Sequence, residues 1–205
     1  MSLARNVFLM TGLLWGMHGL SAVPALAQSG GCADLMSAQQ KVNCVRAKGS
    51  FADLEQMLKV VLPQATAEDL DLVIEGLENG RLLGDATAML GLGVIYENGI
   101  APISQDLSRA GGYYLDAAAV GSTDGMVRVA MMYCDGRVAA PDLECLYFLR
   151  NAAELGHADA LLMLAEQLVE KTDDFEGAKT YLEKAIELGV RGAEDALRQL
   201  VRSRT

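Results

Sequence analysis

The side chains with the most chemical potential are four cysteines, at positions 32, 44, 134 and 145, and a single histidine beyond residue 27, His157. Four cysteines allow three disulfide pairings, and their spacings match neither a C-x-x-C redox pair nor a usual zinc pattern, so structural bridges are the expected chemistry. A Ser-His-Asp or Cys-His arrangement would depend entirely on His157. No G-x-S-x-G elbow, H-E-x-x-H helix or Walker loop is present, and Gly91-Leu-Gly93 lacks the third glycine and preceding strand of a dinucleotide fingerprint. Acids such as Glu97, Asp135, Asp173 and Asp174 are plentiful, but no pattern pairs two of them in a cleft where one pKa would rise. The sequence therefore predicts no catalytic residue, no metal site and no cofactor.

The elements that would position these residues form an array. Three stretches align on their glycines: Gly84-Asp-Ala86-Thr-Ala88-Met-Leu-Gly-Leu92-Gly93-Val-Ile-Tyr96-Glu-Asn-Gly99, Gly121-Ser-Thr-Asp-Gly125-Met-Val-Arg-Val129-Ala130-Met-Met-Tyr133-Cys-Asp-Gly136, and Gly156-His-Ala158-Asp-Ala160-Leu-Leu-Met-Leu164-Ala165. The glycine-to-tyrosine interval is 12 residues in the first two copies, and Leu168 fills that position in the third. Gly121, Gly156 and Gly189 recur at intervals of 35 and 33 residues, each closing an Ala-rich helix end. That period predicts an all-α solenoid of stacked helix pairs, each burying its apolar face against its neighbours. Glycines 121, 156 and 189 stand where a helix end requires a left-handed residue. Gly93, Ala130 and Ala165 are small where two helices approach closely. His157 occupies the slot of Asp85 and Ser122, which predicts a helix-start residue and not a catalytic one.

This pattern resembles the Sel1-like repeat family, most clearly at Ala86, Ala88, Leu92, Gly93, Tyr96, Gly99, Ala110, Tyr114, Ala117, Ala118 and Gly121, and over roughly three copies. Tyr133, Gly136, Gly156 and Gly189 fill equivalent positions in later copies. The third copy departs from the pattern at Leu168 and Lys171, so its turn around 171–174 is expected to be shaped differently. The resemblance implies a scaffold or adaptor binding a protein or peptide, in exported members often within the cell envelope. It also implies an alternative, because some cysteine-rich secreted relatives are of β-lactamase or penicillin-binding type; those carry a cysteine pair in nearly every repeat, and here only the second does. In that repeat Cys134 ends the first helix and Cys145 sits early in the second, which favours Cys134 with Cys145 and leaves Cys32 for Cys44. Each closed loop would contribute about 3 kcal/mol in the chain-entropy view.

Residues 1–27 read as a secretory signal peptide: Arg5, an apolar run over 7–20, Pro24, and an Ala25-Leu-Ala27 cleavage site before Gln28. Contact with a membrane is expected only if this segment stays uncleaved. The location implied is exported, in the periplasm or secreted. Without Arg5 the chain has 16 Lys and Arg, one fewer than the full 17, against 27 Asp and Glu, a net charge of −11. Nucleic acid is therefore disfavoured as a partner.

Residues 28–83 read as an N-terminal helical cap whose last helix belongs to a degenerate repeat. Helices are expected over 33–47, over 51–61 after Ser50, and over 66–78, ending at Asn79-Gly80, with Pro63 stopping the second. The repeats span 84–191 and a closing helix 192–205, where Arg191, Arg198, Arg202 and Arg204 complement the helix dipole. Ser104 is a candidate cap for the second helix of the first repeat. Ile100, Ile103 and Val138 are expected to tuck beneath neighbouring repeats. The candidate partner-binding residues are Met126, Met131 and Met163 on the first helices, where an adaptable thioether suits a peptide surface, together with Tyr113 and Tyr147, both expected to be partly exposed.

Overall fold

The computed structural model describes residues 37–47, 51–140 and 143–203. Among these the elements are ten α-helices and one 3-10 turn, with no strand. The first three helices are α1 (Ala38–Ala47), α2 (Phe51–Val61) and α3 (Ala67–Leu82), with Pro63 within the 3-10 turn Leu62–Gln64 between α2 and α3. Three pairs follow: α4 (Ala86–Asn98) with α5 (Leu107–Ala119), α6 (Thr123–Cys134) with α7 (Glu144–Glu154), and α8 (Ala158–Thr172) with α9 (Phe175–Glu187). Helix α10 (Ala193–Arg202) closes the chain. From α3 onward each helix packs on the next; before that α1 packs on both α2 and α3, and α2 packs on α4, as α4 does on α6.

The turns between pairs repeat one design. Gly84, Gly121, Gly156 and Gly189 all take positive φ, between 70° and 92°. In each, the glycine and the residue after it return N–H bonds to the carbonyls three and five residues back: Ser122 to Ala117, His157 to Ala152, Val190 to Ala185 and Asp85 to Gly80. These Schellman closures satisfy carbonyls that a helix end would otherwise strand. Helix α3 thus ends as the second helices of the repeats do. The next residue then caps the following helix: Asp85 accepts from the Thr87 and Ala88 N–H groups, Ser122 from Gly125 and His157 from Ala160. Such caps are worth about 1 kcal/mol each.

Two apolar clusters fill the array and share α6. The first gathers buried residues of α1 to α5 and takes Val129 and Met132 from α6; the second takes Val127 and Ala130 from α6 and continues to Ala193. A core divided in this way is what stacking against neighbours alone produces. Ile100, Ile103 and Val138 pack against the first cluster.

Several expectations are corrected. Helix α3 does not stop at Asn79-Gly80 but runs to Leu82, because Gly80 serves packing: a Cβ there would lie 2.7 Å from that of Ala88. The cap of α5 is Asp106, which accepts from the Arg109 N–H, and not Ser104. Among the described residues α1 begins at Ala38; the expected start at 33, and Cys32, Ser50 and Arg204, lie outside them, as does the segment 1–27. The third repeat's turn is indeed different. Only Asp173, left-handed at φ 54°, and Asp174, which caps α9, separate α8 from α9.

Gly93 is the tightest point. A Cβ there would fall 2.2, 2.6 and 2.8 Å from three atoms of the Tyr114 ring, which is fully buried and cannot swing away. Gly112, on the exposed side of α5, has nothing within 4 Å of its virtual Cβ. The two glycines therefore predict opposite outcomes. Gly93→Ala should lower stability by about 2 kcal/mol, since overpacking outweighs the gain in helix propensity. Gly112→Ala should raise it by roughly 0.5–1 kcal/mol. Urea unfolding followed by circular dichroism checks both.

Candidate interaction surface

The candidate residues do not converge on one spot. Tyr147 stands 59% exposed on α7, its ring edge-on to Phe148 at 5.3 Å, and Phe148 in turn meets Tyr133 at 5.9 Å. Met126, Met131 and Met163 are half-buried and pack against the second cluster. Tyr113 was expected to be partly exposed, and the structure overturns this: it is 8% exposed. Its ring stacks on Tyr96 at 5.6 Å, and its hydroxyl donates to Glu78 Oε1 at 2.5 Å. Arg109 lies over the Tyr96 ring at 4.1 Å, and Arg81 holds Glu78 at 2.7 Å and Asp116 at 3.7 Å. Tyr113 therefore joins α5 to α3 and is not free to meet a partner.

A second polar network lies on the side of the first helices. The buried Tyr114 hydroxyl donates to Glu97 Oε2 at 2.5 Å, and Arg137 donates to Glu97 Oε1 at 2.5 Å. Arg128 on α6 reaches Glu97 on α4 at 3.7 Å and pairs with Glu55 on α2; Glu55 also accepts from Lys59 at 2.8 Å. Burial works to raise the Glu97 carboxyl, but Tyr114, Arg137 and Arg128 together outweigh it and hold its pKa below the ordinary 4.5. Glu55 and Glu78 are held down in the same way, burial being opposed by Lys59 and Arg128 in one and by Tyr113 and Arg81 in the other. Burial and the Glu97 contact push the Tyr114 phenol up. A general acid at neutral pH needs a raised carboxyl pKa. The three displaced carboxyls move the other way, so what this arrangement does chemically is to fasten helices.

His157 is accounted for by its cap. Its Nδ1 accepts from the Ala160 N–H at 3.3 Å, which leaves Nε2, 3.4 Å from Asp124 Oδ1, to carry the proton. The Asp124 contact outweighs burial and holds its pKa above the ordinary value. Full protonation would remove the acceptor on which the cap of α8 depends.

The expected bridge between Cys134 and Cys145 is present, with Cα atoms 5.3 Å apart, and ties the end of α6 to the start of α7. Cys44 is also disulfide-bonded; the pairing expected with Cys32 falls on a residue outside the described set. Among the described residues no group of side chains could hold a metal ion, and no helix is long and apolar enough to cross a membrane.

Sequence reasoning missed both polar networks, because Glu55 and Arg128 stand 73 residues apart and Tyr113 and Glu78 stand 35 apart. It also missed a periodic surface feature. The residue before each turn glycine, Leu83, Val120, Leu155 and Leu188, is apolar and exposed. That signal was visible in the aligned copies.

A stack of helix pairs, glycine-closed and capped in register, defines an α/α solenoid. The Sel1 repeat model matches three consecutive stretches, residues 86–122, 123–157 and 158–190, and the chain belongs to that family. A Sel1 repeat protein from Oxalobacter formigenes of known structure is 25% identical, with a TM-score of 0.53, over 62% of this chain and 97% of that one. The structure of c5321, a protective antigen of uropathogenic Escherichia coli strains with an SLR fold, is 21% identical, with a TM-score of 0.57. It is matched over 78% of this chain but only 35% of its own length, and the likeness is one of fold. No curated protein matches the chain. Sel1 repeats generally mediate protein–protein interaction.

The lowered carboxyls carry a pH consequence. A group whose folded pKa lies below its unfolded value stabilises the fold above the unfolded pKa, and that contribution is lost as pH falls through the folded one. The contribution of these three carboxylates should hold from neutrality down to about pH 4.5 and be lost progressively below. Glu97→Gln should cost about 1–3 kcal/mol at pH 7 and give a flatter decline in acid, as read from urea midpoints across that range.

Proposed function

We propose that this chain is an exported scaffold or adaptor that holds a protein or peptide partner in the cell envelope. The observation that carries the reading is the continuous three-repeat solenoid over 86–190, an architecture that presents extended surface. Its polar side chains support the same reading, since the charged groups with the best geometry are spent on joining helices. Disulfides at Cys44 and Cys134–Cys145 suit an oxidising compartment, in keeping with the signal peptide read over 1–27. The acidic balance favours a partner with basic groups. Of the surface residues singled out, Tyr147 has the exposure a contact residue needs; aromatic side chains of this kind dominate binding energy when a partner covers them.

The test is capture in the native host. The tagged protein is exported, lightly crosslinked and purified, and co-purifying proteins are identified. One stoichiometric envelope protein is expected, with its yield reduced about tenfold by Tyr147→Ala, the loss of roughly one hot-spot contact. Recovery of the chain alone, from cells where the tag is accessible, would overturn the adaptor reading.

A further inference from the structure

His157 is the one imidazole among the described residues, and it stands in a slot that the other repeats fill with Asp85 and Ser122. All three cap the first helix of a pair. A carboxylate or a hydroxyl goes on accepting throughout the neutral range, whereas an imidazole caps only while one ring nitrogen keeps its lone pair. Here that nitrogen is Nδ1, which accepts from the Ala160 N–H at 3.3 Å, while Nε2 lies 3.4 Å from Asp124 Oδ1 on α6. One ring thus holds the start of the third repeat with one nitrogen and the start of the second with the other, and its side chain is only 18% exposed.

The two attachments respond to a proton in opposite ways. With Nε2–H directed at Asp124, an added proton goes to Nδ1. That sets donor against donor at the Ala160 N–H, which ends the cap, and places a positive charge at the N-terminus of α8, where the helix dipole opposes it. The same proton turns the Asp124 contact into an ion pair. Asp124 on α6, and behind it Asp159 in the first turn of α8, favour the imidazolium and outweigh burial, so the ring titrates above 6.5. The other charges near the turn come in exposed pairs of opposite sign, Arg150 with Glu154 late in α7 and Lys184 with Glu187 late in α9. Arg128, one turn beyond Asp124, is engaged by Glu55 and Glu97. Because the folded pKa is raised, the Asp124 pair stabilises the fold fully below the unfolded value and is lost as pH rises through the folded one, where the cap takes over.

We propose that His157 is a pH-operated joint between the second and third repeats, capping α8 when neutral and transferring its hold to Asp124 on α6 when protonated. The change is local. Packing of α7 on α8 and of α8 on α9 is untouched, and only the first turn of α8 loosens. Asp85 and Ser122 hold the corresponding turns of α4 and α6 throughout the same range, so the third repeat alone responds. The device does not depend on the identity of any partner.

The test is a pH titration of the whole 15N-labelled protein by NMR, reading the imidazole nitrogens and the Ala160 amide, with the His157 signals assigned by their absence from His157→Ser. At the alkaline end the ring should be the Nε2–H tautomer. As Nδ1 takes its proton, the Ala160 amide should shift with the same midpoint, and its exchange, referred to the intrinsic rate at each pH, should quicken about fivefold, the loss of one cap. The Ala88 amide, capped by Asp85, should show no such transition and serves as the internal control. His157→Ser, which installs the residue type found at 122, should abolish the Ala160 transition, and Asp124→Asn should lower the midpoint of the ring. Circular dichroism verifies that both variants fold. An Nδ1–H tautomer at the alkaline end, an Ala160 amide indifferent to the ring, a transition that survives His157→Ser, or a midpoint unmoved by Asp124→Asn would each overturn the joint. The wild-type titration and Asp124→Asn decide the matter even if His157→Ser does not fold.

Discussion

The approach of α4 to α5 at Gly93 is the constraint on which the rest depends. The Tyr114 ring occupies the space a side chain at 93 would need, so the two helices close on an aromatic ring buried to the last atom. A buried phenol must bond its hydroxyl, and this one bonds Glu97. Glu97 in turn must keep its charge inside a half-buried site, which requires cations. Arg128 and Arg137 provide them, and through Arg128 the network extends to Glu55 on α2. One close contact thereby commits four elements to one arrangement.

Within a stack that touches only its neighbours, such cross-ties govern how far one unit feels the next. The apolar core is already continuous through α6, whose two sides feed two clusters. The polar network runs parallel to it from α2 to α6, and the Cys134–Cys145 bridge secures the following pair. Beyond α8 these ties cease, and the connection after Gly189 lengthens, with α10 beginning only at Ala193. The charged cross-ties are thus concentrated in the first two repeats with the helices before them.

How much of this was legible depended on the range of the interaction. The turn glycines were readable because a left-handed helix end leaves few residue choices, and the slot after each glycine identified His157 as a cap from Asp85 and Ser122 alone. The bridge between Cys134 and Cys145 followed from their places within a single helix pair. Gly80 misled because glycine serves two purposes, and here close packing on Ala88 prevailed over helix termination. Ser104 lost to Asp106 because loop geometry, not propensity, decides which of two competent caps meets the first N–H groups. Tyr113 read as a surface residue because its partners, Glu78 and Arg81, belong to the preceding unit. Contacts between repeats have no fixed spacing in the chain, and the pairs of Arg128 and Arg137 with Glu55 and Glu97, which all cross from one unit to another, were for that reason invisible.

The central claim is that the charged side chains of the first-helix side join repeats through one shared carboxylate. A double-mutant cycle between Tyr114→Phe and Arg128→Ala, with unfolding free energies from urea titration, tests this directly, since both residues contact Glu97. A coupling of about 1 kcal/mol or more is predicted. Additivity to within roughly 0.3 kcal/mol would contradict it, and would make Glu97 a carboxylate with two independent neighbours instead of a joint.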